Sequence, residues 1–260
     1  MIDLHERLSE FSYGYGVTRE VEAILAAAGL KVTPFLPSLL HEKKLGFDVA
    51  FSGPGIVVML QFKLGQQLSR FKKTKAVPSK PPNLQRPFWR FFVNTKEQQF
   101  RRLRKFERSG ASVFYVAPRF SDWSAYEDAF HENKVLTKSL LVTPKEIRRG
   151  AKSTAGVHRL VYDKKNRYVC SEPIPIDEVS TEEFVSSVNA GARDVHFTLE
   201  TRLEALESAI EGEENQVLPR VPLNARQGIE EKATSRSDAR AAIVGLEAWI
   251  QGAQAVFVTP

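Results

Sequence analysis

The sequence contains a single cysteine, Cys170, and only five histidines in 260 residues. One thiol excludes an intramolecular disulfide, and the scattered histidines have no spacing that would bind zinc. Long apolar runs are also missing, since none approaches the roughly 20 residues that a membrane-spanning helix needs. The first ten residues, MIDLHERLSE, are polar and acidic and do not resemble a signal peptide. We therefore expect a cytoplasmic protein that does not associate with a membrane.

Positive charge is concentrated in one part of the chain. The net charge is +6, yet the segment from Lys63 to Arg108 contains fourteen lysines and arginines and two acids. This segment alone carries +12, so the rest of the chain carries −6. A basic block in an otherwise acidic protein favours a polyanionic partner such as DNA. The alternative is a solvated helix face and loop with no such partner.

Hydrophobic periodicity predicts an α/β protein. The predicted elements are a helix at 17–29, strands at 30–36, 46–52 and 55–64, a helix at 95–109 and a strand at 112–118. The two strands at 46–52 and 55–64 are separated by Gly53-Pro54-Gly55, which is typical of a hairpin turn. The intervening residues 65–93 are basic and contain several prolines, and they are predicted to be a connection.

The second half of the chain has a looser pattern. We expect a core domain over residues 1–120 and a largely helical appendage over 121–260, which would bind a partner or form a homodimer. The appendage is predicted to contain a helix near 124–132, a hairpin at 158–173, helices at 181–190, 197–211 and 238–250, an irregular arm at 212–237 and a strand at 255–259.

Three polar residues interrupt the apolar strands 46–52 and 55–64. Because side chains alternate between the two faces of a strand, Gln61 and Lys63 share one face, and Asp48 lies on one face of the neighbouring strand. All three lie far from the turn, so they approach each other at the open end if the strands pair. An acid, an amide and an amine on a half-buried surface are costly unless they are paired or bind a metal.

A hard divalent cation would resolve this cost. Asp48 supplies a charged oxygen, and the Gln61 side chain and the backbone carbonyl of Phe62 supply neutral oxygens, which is the ligand type that Mg²⁺ prefers. Lys63 would stabilise charge on a phosphate or orient a metal-bound water. The alternative is a buried ion pair between Asp48 and Lys63 with a structural role only.

With the order of elements added, the chain resembles the PD-(D/E)xK nuclease superfamily, which has the restriction-endonuclease-like fold. The core of that family runs helix, three strands, helix, strand (α-β-β-β-α-β), with a central mixed sheet flanked by helices. Its motif is an acid on the second strand and (D/E/Q)-x-K on the third, matched here by Asp48 and by Gln61-Phe62-Lys63. The glutamine is similar to that of the Mrr-like branch. Phe47, before Asp48, departs from the proline of the motif.

The resemblance implies hydrolysis of phosphodiester bonds in DNA with Mg²⁺, or Mn²⁺ as a substitute, in host defence or DNA processing. It covers roughly residues 12–118. Many branches also carry an acid on the first helix, and Glu20 lies nearer the buried edge of that helix than Glu22. Residues expected to contact DNA phosphates are Arg70, Lys72, Lys73, Arg101, Arg102, Arg104 and Lys105.

Several alternatives stay open at the level of sequence. The chain could keep the fold as a non-catalytic nucleic-acid-binding module, or act as a partner-binding subunit of a larger defence complex. RNA is also open as the substrate. Some members of the family place a glutamine of the second helix beside the active site, and Gln98 or Gln99 would take that position here. The aromatic residues Trp89, Phe91 and Phe92 either stack a base or, as we favour, pack at the start of the helix.

Overall fold

A computed structural model describes residues 8–36, 47–53, 56–74, 79–152, 156–170, 172–193 and 231–232. The mixed α/β class predicted from the sequence is confirmed. The elements are α1 (Glu10–Ala27), β1 (Val49–Gly53), β2 (Ile56–Phe62), β3 (Gln66–Leu68), β4 (Phe88–Asn94), α2 (Gln98–Arg108), β5 (Ser112–Pro118), α3 (Trp123–His131), β6 (Ser139–Val142), α4 (Pro144–Gly150), β7 (Val157–Tyr162), β8 (Arg167–Cys170), β9 (Pro173–Pro175) and α5 (Thr181–Arg193). No helix among the described residues is long and apolar enough to cross a membrane.

The strands form two sheets. The first has the order β1-β2-β5-β6, in which β1 and β2 are antiparallel, β2 and β5 are parallel, and β5 and β6 are antiparallel. The second has the order β3-β4-β7-β8-β9 and is antiparallel throughout. Each sheet contains strands from both sides of residue 120, the predicted start of an appendage. Apart from 231–232, the elements predicted beyond residue 193 lie outside the described residues.

Helix α1 covers one face of the first sheet. It begins after Ser9, whose hydroxyl oxygen accepts a hydrogen bond from the backbone N–H of Ser12 at 3.0 Å, as expected for an N-cap residue. Its apolar stripe is buried against alternate residues of β2, including Phe62. A Cβ atom at Gly14 would lie 2.8 Å from the Phe62 ring, so glycine allows this close approach. The stripe consists of Tyr13, Val17, Val21 and Leu25.

Helix α2 and the second sheet cover the opposite face. The other alternate residues of β2, Val57 and Met59, are buried in a cluster with Leu103 of α2 and Phe91 of β4. All seven residues of β2 are therefore buried, which explains its nearly continuous apolar sequence. Gln61 belongs to this face, so the polar residues singled out from the sequence lie on the side of β2 that α2 covers.

The first helix begins at Glu10 rather than at residue 17, and two further sequence predictions are wrong at the level of secondary structure. Residues 65–93 are not only a connection, because they contain β3 and β4. The prolines and lysines before β4 obscured its strand pattern in the sequence. Its main partner, β7, lies more than 60 residues further along the chain. Residues 30–36 do not form a regular strand among the described residues, and only Phe35 pairs, through an isolated bridge to Ala50. Pro34, which lacks a backbone N–H, weakens this strand.

The predicted hairpin is confirmed as β7 and β8, and its turn also anchors a distant loop. The buried Asp163 side chain accepts hydrogen bonds through Oδ1 from the N–H groups of Lys165 (2.6 Å) and Asn166 (2.7 Å). Its Oδ2 accepts from the N–H of Gln85 at 2.7 Å. Burial acts to raise the pKa of this carboxyl, but these hydrogen bonds outweigh it and hold the pKa below its usual value.

Candidate metal and nucleic-acid site

Asp48 and Gln61 meet at the open end of the β1–β2 hairpin, as the sequence predicted. The outermost pair of the β1–β2 ladder is Val49 opposite Leu60, so Asp48 lies opposite Gln61 one residue beyond it. Gln61 Nε2 donates a hydrogen bond to Asp48 Oδ2 at 2.7 Å. The backbone N–H of Phe62 donates to the same oxygen. The carboxylate is therefore fixed in position by two donors from β2.

Gln61 is held from both sides. It is 1% exposed, and its Oε1 accepts a 2.7 Å hydrogen bond from Nε2 of Gln99 in the first turn of α2. Gln61 Nε2 also lies 3.3 Å from the carbonyl oxygen of Phe62. The structure thus joins Gln99, Gln61 and Asp48 in one chain of hydrogen bonds. Of the two glutamines that the sequence offered on this helix, Gln99 is the one that contacts Gln61.

Tyr115 is a neighbour of this chain that sequence reasoning missed. It pairs with Gln61 in the parallel register of β2 and β5 and is buried, with its ring stacked on that of Phe100 at 6.3 Å. Burial raises the pKa of its hydroxyl, and the negative charges of Glu97 and Asp48 raise it further. Two carboxylates thus act on one buried hydroxyl. An apolar run such as SVFYVAP contains no signal that its tyrosine lies beside two acids.

Lys63 follows β2 directly. Its backbone N–H donates to the carbonyl oxygen of Val116 at 2.9 Å, so the pairing with β5 continues through this residue. Alternation along the strand places its side chain on the same face as that of Gln61. The next residue, Leu64, donates its N–H to Oε2 of Glu10 at 3.2 Å. Glu10 is the first residue of α1, and the sequence analysis did not consider it.

Glu20 and Glu22, the predicted helix acids, lie further along α1. Glu20 is buried at 8% exposure and Glu22 is exposed, in agreement with the predicted orientation of the helix. Both Glu20 oxygens accept backbone hydrogen bonds at 2.8 Å, from Val135 and Leu136. These contacts fasten α1 to the segment after α3. Neither of these two hydrogen bonds involves Asp48, Gln61 or Lys63.

The predicted phosphate-binding residues divide into two groups. Arg70, Lys72 and Lys73 are exposed after β3. On α2, Arg101 is exposed, whereas Arg102, Arg104 and Lys105 are partly buried. Arg104 forms an ion pair with Glu107 in the next turn. Helical spacing places Arg101, Lys105 and Arg108 together on the side of α2 opposite the buried Leu103. This outer stripe is the part of the helix best placed to contact a polyanion.

The three aromatic residues near the start of α2 belong to β4 and differ in exposure. Trp89 and Phe91 are buried in the core that the two sheets and α2 share, as the packing interpretation predicted. Phe92 points to the other face of the second sheet and is 50% exposed. Only Phe92 of the three is therefore accessible to a ligand.

The oxygen atoms around Asp48 partly fit a hard divalent cation. Asp48 offers a carboxylate and Phe62 a carbonyl, and both lie within reach of the Gln61 amide. Within the part of the chain that the structure describes, no three His, Cys, Asp or Glu side chains group closely enough to hold a metal ion. A cation here would accordingly depend on one carboxylate, neutral oxygens and water.

Comparison with known proteins identifies no relative, since no family model matches the chain and neither the curated proteins nor the solved structures contain a significant match. The resemblance inferred from the motif and the order of elements therefore stays a prediction.

Proposed function

We propose that this chain is a divalent-metal-dependent nuclease that hydrolyses phosphodiester bonds in DNA, with Asp48, Gln61 and Lys63 at its centre. The observation that carries the proposal is the 2.7 Å hydrogen bond between Gln61 and Asp48 at the end of two otherwise apolar strands. Buried polar residues are costly, and apolar side chains would fill this end of the two strands without that cost.

The order of elements supports a restriction-endonuclease-like core. The series α1, β1, β2, α2 and β5 follows the order helix, strand, strand, helix, strand, and an isolated bridge at Phe35 stands where the family has its first strand. The acid comes directly before β1, and the Gln-x-Lys sequence lies at the end of β2. One departure is the pair β3 and β4, which is inserted between β2 and α2 and leads into a second sheet.

The orientation of the Gln61 amide bears on the metal site. The nitrogen and oxygen of a glutamine amide exchange places by a half-turn of the amide group, and the assignment depends on the surrounding partners. After such a turn, Oε1 would join the oxygens of Asp48 and Phe62. Gln99 can follow, since its own amide then offers Oε1 to Gln61 Nε2. The site thus accepts Mg²⁺ or Mn²⁺ through a coupled turn of two glutamines.

A bound cation would lower the pKa of a coordinated water and neutralise charge on a phosphate. The chain's own residues perform the remaining tasks. Asp48 is held by the N–H of Phe62, so its carboxylate is positioned before substrate binds, and Gln99 holds the Gln61 amide beside it. Lys63, one residue beyond Phe62, places a positive charge beside the phosphate to be cleaved. Glu10 supports the backbone directly after Lys63.

DNA would be held by the basic surface residues. The exposed Arg70, Lys72 and Lys73 and the outer stripe of α2 provide positive charge without base-specific geometry. We propose that this DNA cleavage serves host defence or DNA processing.

A second candidate function is a nucleic-acid-binding module without catalysis. One specific observation favours it: Gln61 directs its N–H, rather than its oxygen, at Asp48, which satisfies the carboxylate without a metal ion. In that case the fold and the basic surface would remain, and cleavage would be absent.

The test is cleavage of end-labelled and supercoiled DNA with Mg²⁺, with Mn²⁺ and with EDTA. We expect the wild type to cut only when a cation is present. Asp48→Asn, which keeps an oxygen for the Phe62 N–H, and Lys63→Met should each slow cleavage by at least about a thousandfold, or about 4 kcal/mol. The matched controls are Asp128→Asn and Lys165→Met, at exposed positions on α3 and in the β7–β8 turn. DNA binding without cleavage by the wild type would favour the second candidate.

A further inference from the structure

The outer face of the second sheet carries two arginines close to an exposed aromatic ring. Phe92 of β4 lies directly opposite Arg159 of β7, and Arg90 is two residues before Phe92 on the same face. The guanidinium carbons of Arg90 and Arg159 lie 5.6 Å and 5.9 Å from the centre of the Phe92 ring. Arg159 also lies 6.0 Å from the ring of Phe71. We call Arg90, Phe92, Arg159 and Phe71 the outer-sheet patch.

No carboxylate in the described part of the chain neutralises the positive charge of this patch, because neither Arg90 nor Arg159 forms an ion pair there. Arg90 donates from Nε and Nη2 to Gln66 Oε1 at 3.0 Å and 2.7 Å, and Arg159 donates from Nη1 to the carbonyl of Lys72 at 3.4 Å. These acceptors are neutral, and the side chains of Lys72 and Lys73 beside them are exposed cations.

The two guanidinium groups also repel each other. Burial lowers the pKa of Arg90, and the nearby charge of Arg159 lowers it further. Arg159 Nε is buried and has no hydrogen-bond partner in the described structure. Two cations and an unsatisfied donor around a half-exposed ring are unfavourable in the protein alone, and an anion would relieve the repulsion.

We propose that the outer-sheet patch binds single-stranded DNA, with an unpaired base stacked on Phe92 and the flanking phosphates bound by Arg90 and Arg159. An aromatic ring close to two cations matches the base and backbone of a single strand, because each base has an apolar face and each linkage has a negative charge. A duplex hides its base faces, and an acidic peptide has no matching planar group for each charge.

The choice of DNA follows from the hydrogen-bonding groups of the patch. Its side chains are donors and rings, and the acceptor beside Arg90, Gln66 Oε1, already receives both guanidinium N–H groups. A ribose 2′-hydroxyl adds a donor to each nucleotide, and the side chains of the patch and Gln66 offer that donor no unoccupied acceptor.

This surface is separate from the Asp48 site. The inner face of the second sheet, with Trp89 and Phe91, packs into the core that contains Met59 of β2, whereas Phe92 points away from that core. The proposal does not depend on catalysis, and it stands if the chain cleaves no DNA.

The experiment measures binding of a fluorescent dT oligonucleotide of roughly 12 nucleotides by fluorescence anisotropy. The buffer contains EDTA, so that no metal-dependent cleavage takes place. The variants are Arg90→Gln/Arg159→Gln, Phe92→Ala and Phe92→Tyr. Lys164→Gln/Lys165→Gln is the charge-matched control at the tip of the β7–β8 hairpin, and Phe11→Ala removes an aromatic residue that is 81% exposed on α1.

We expect the arginine double variant to weaken binding at least about tenfold and to flatten the salt dependence by about 1.4, which is 0.7 for each phosphate contact. Phe92→Ala should weaken binding by about 5- to 100-fold, and Phe92→Tyr should bind like the wild type. Both controls should bind like the wild type, apart from a small uniform charge effect of the lysine pair.

Three results would overturn the proposal. The first is equal affinity of wild type, Phe92→Ala and the arginine double variant for the oligonucleotide. The second is tighter binding of an rU oligonucleotide or a DNA duplex than of dT. The third is displacement of dT by polyglutamate at a similar charge concentration, which would show a surface that responds to charge alone.

Discussion

The side-chain amide of Gln61 lies between Asp48 and Gln99, with Nε2 2.7 Å from Asp48 Oδ2. Its other end, Oε1, is 2.7 Å from Gln99 Nε2. This arrangement satisfies every polar atom of a side chain that is 1% exposed. It also lets the oxygens of Asp48 and Gln61 converge after one half-turn of the amide.

Replacing Gln61 with glutamate tests whether this position faces a cation. Two adjacent carboxylates repel, so Gln61→Glu should have a lower melting temperature than the wild type in EDTA. Because the variant supplies a second anionic ligand, its affinity for Mg²⁺ should rise by at least about tenfold, and Mg²⁺ should raise its melting temperature. Calorimetric titration measures the affinity. Gln67→Glu, on exposed β3, is the control, and unchanged Mg²⁺ affinity in Gln61→Glu would exclude Gln61 as a ligand.

Two glutamates of α1 should behave differently. Glu20→Gln replaces one acceptor of a buried backbone N–H with an amide donor, so we expect it to lower the free energy of unfolding by about 1.5–3 kcal/mol. Its cleavage rate per folded molecule should be unchanged. Glu10→Gln should leave stability nearly unchanged and lower the single-turnover rate by about tenfold, through a poorer position of Lys63. Urea unfolding and single-turnover cleavage measure both effects, and the reverse pattern would make Glu20 the helix acid.

The outer stripe of α2 should set affinity for duplex DNA. Replacing Arg101, Lys105 and Arg108 with glutamine preserves helix propensity and removes three positive charges. We expect the slope of log affinity against log salt to flatten by up to about 2.7 units, which is 0.9 for each phosphate contact. Arg104 is left in place because it pairs with Glu107. The control replaces the exposed Lys31, Lys164 and Lys165, and an equal slope change in both triple variants would show that α2 has no special contact with DNA.

Asp163 should make stability depend on acid pH. Its pKa is lower in the folded than in the unfolded protein, so the unfolded chain binds the proton first as pH falls. The stabilisation is complete above the unfolded pKa of about 3.9 and is lost as pH falls through the folded pKa. Asp163→Asn should be less stable by about 3 kcal/mol at pH 7, with a gap that narrows below about pH 4. Urea unfolding from pH 7 to pH 3 measures this gap, and a constant gap would contradict the assignment.

The parts of the site that lie close together in the sequence could be predicted, and the rest could not. Asp48 and Gln61 are brought together by a short turn, so alternation along two strands was enough to place them. Tyr115 and Glu97 reach the same region only through the packing of α2 and the parallel pairing of β5, and the sequence left the choice between Gln98 and Gln99 open. Glu10 contacts Leu64 because of how α1 crosses the sheet, and no periodicity in the sequence determines that position.

The pairing of strands in the second sheet also could not be predicted from the sequence. Phe92 and Arg159 are adjacent because β4 pairs with β7, which lies more than 60 residues further along the chain. Arg90 and the prolines before it made FWRFFVN look like part of a basic connection. The alternation of buried and exposed residues in β4 becomes meaningful only once its partner strand is known.

We claim that Asp48 is a ligand of a divalent cation and that Lys63 is not. The most direct test counts bound Mn²⁺ by electron paramagnetic resonance in the wild type, Asp48→Asn and Lys63→Met. We predict that the wild type and Lys63→Met bind Mn²⁺ with similar affinity, while Asp48→Asn loses that binding. Equal Mn²⁺ binding by all three proteins, or none by the wild type, would contradict the claim.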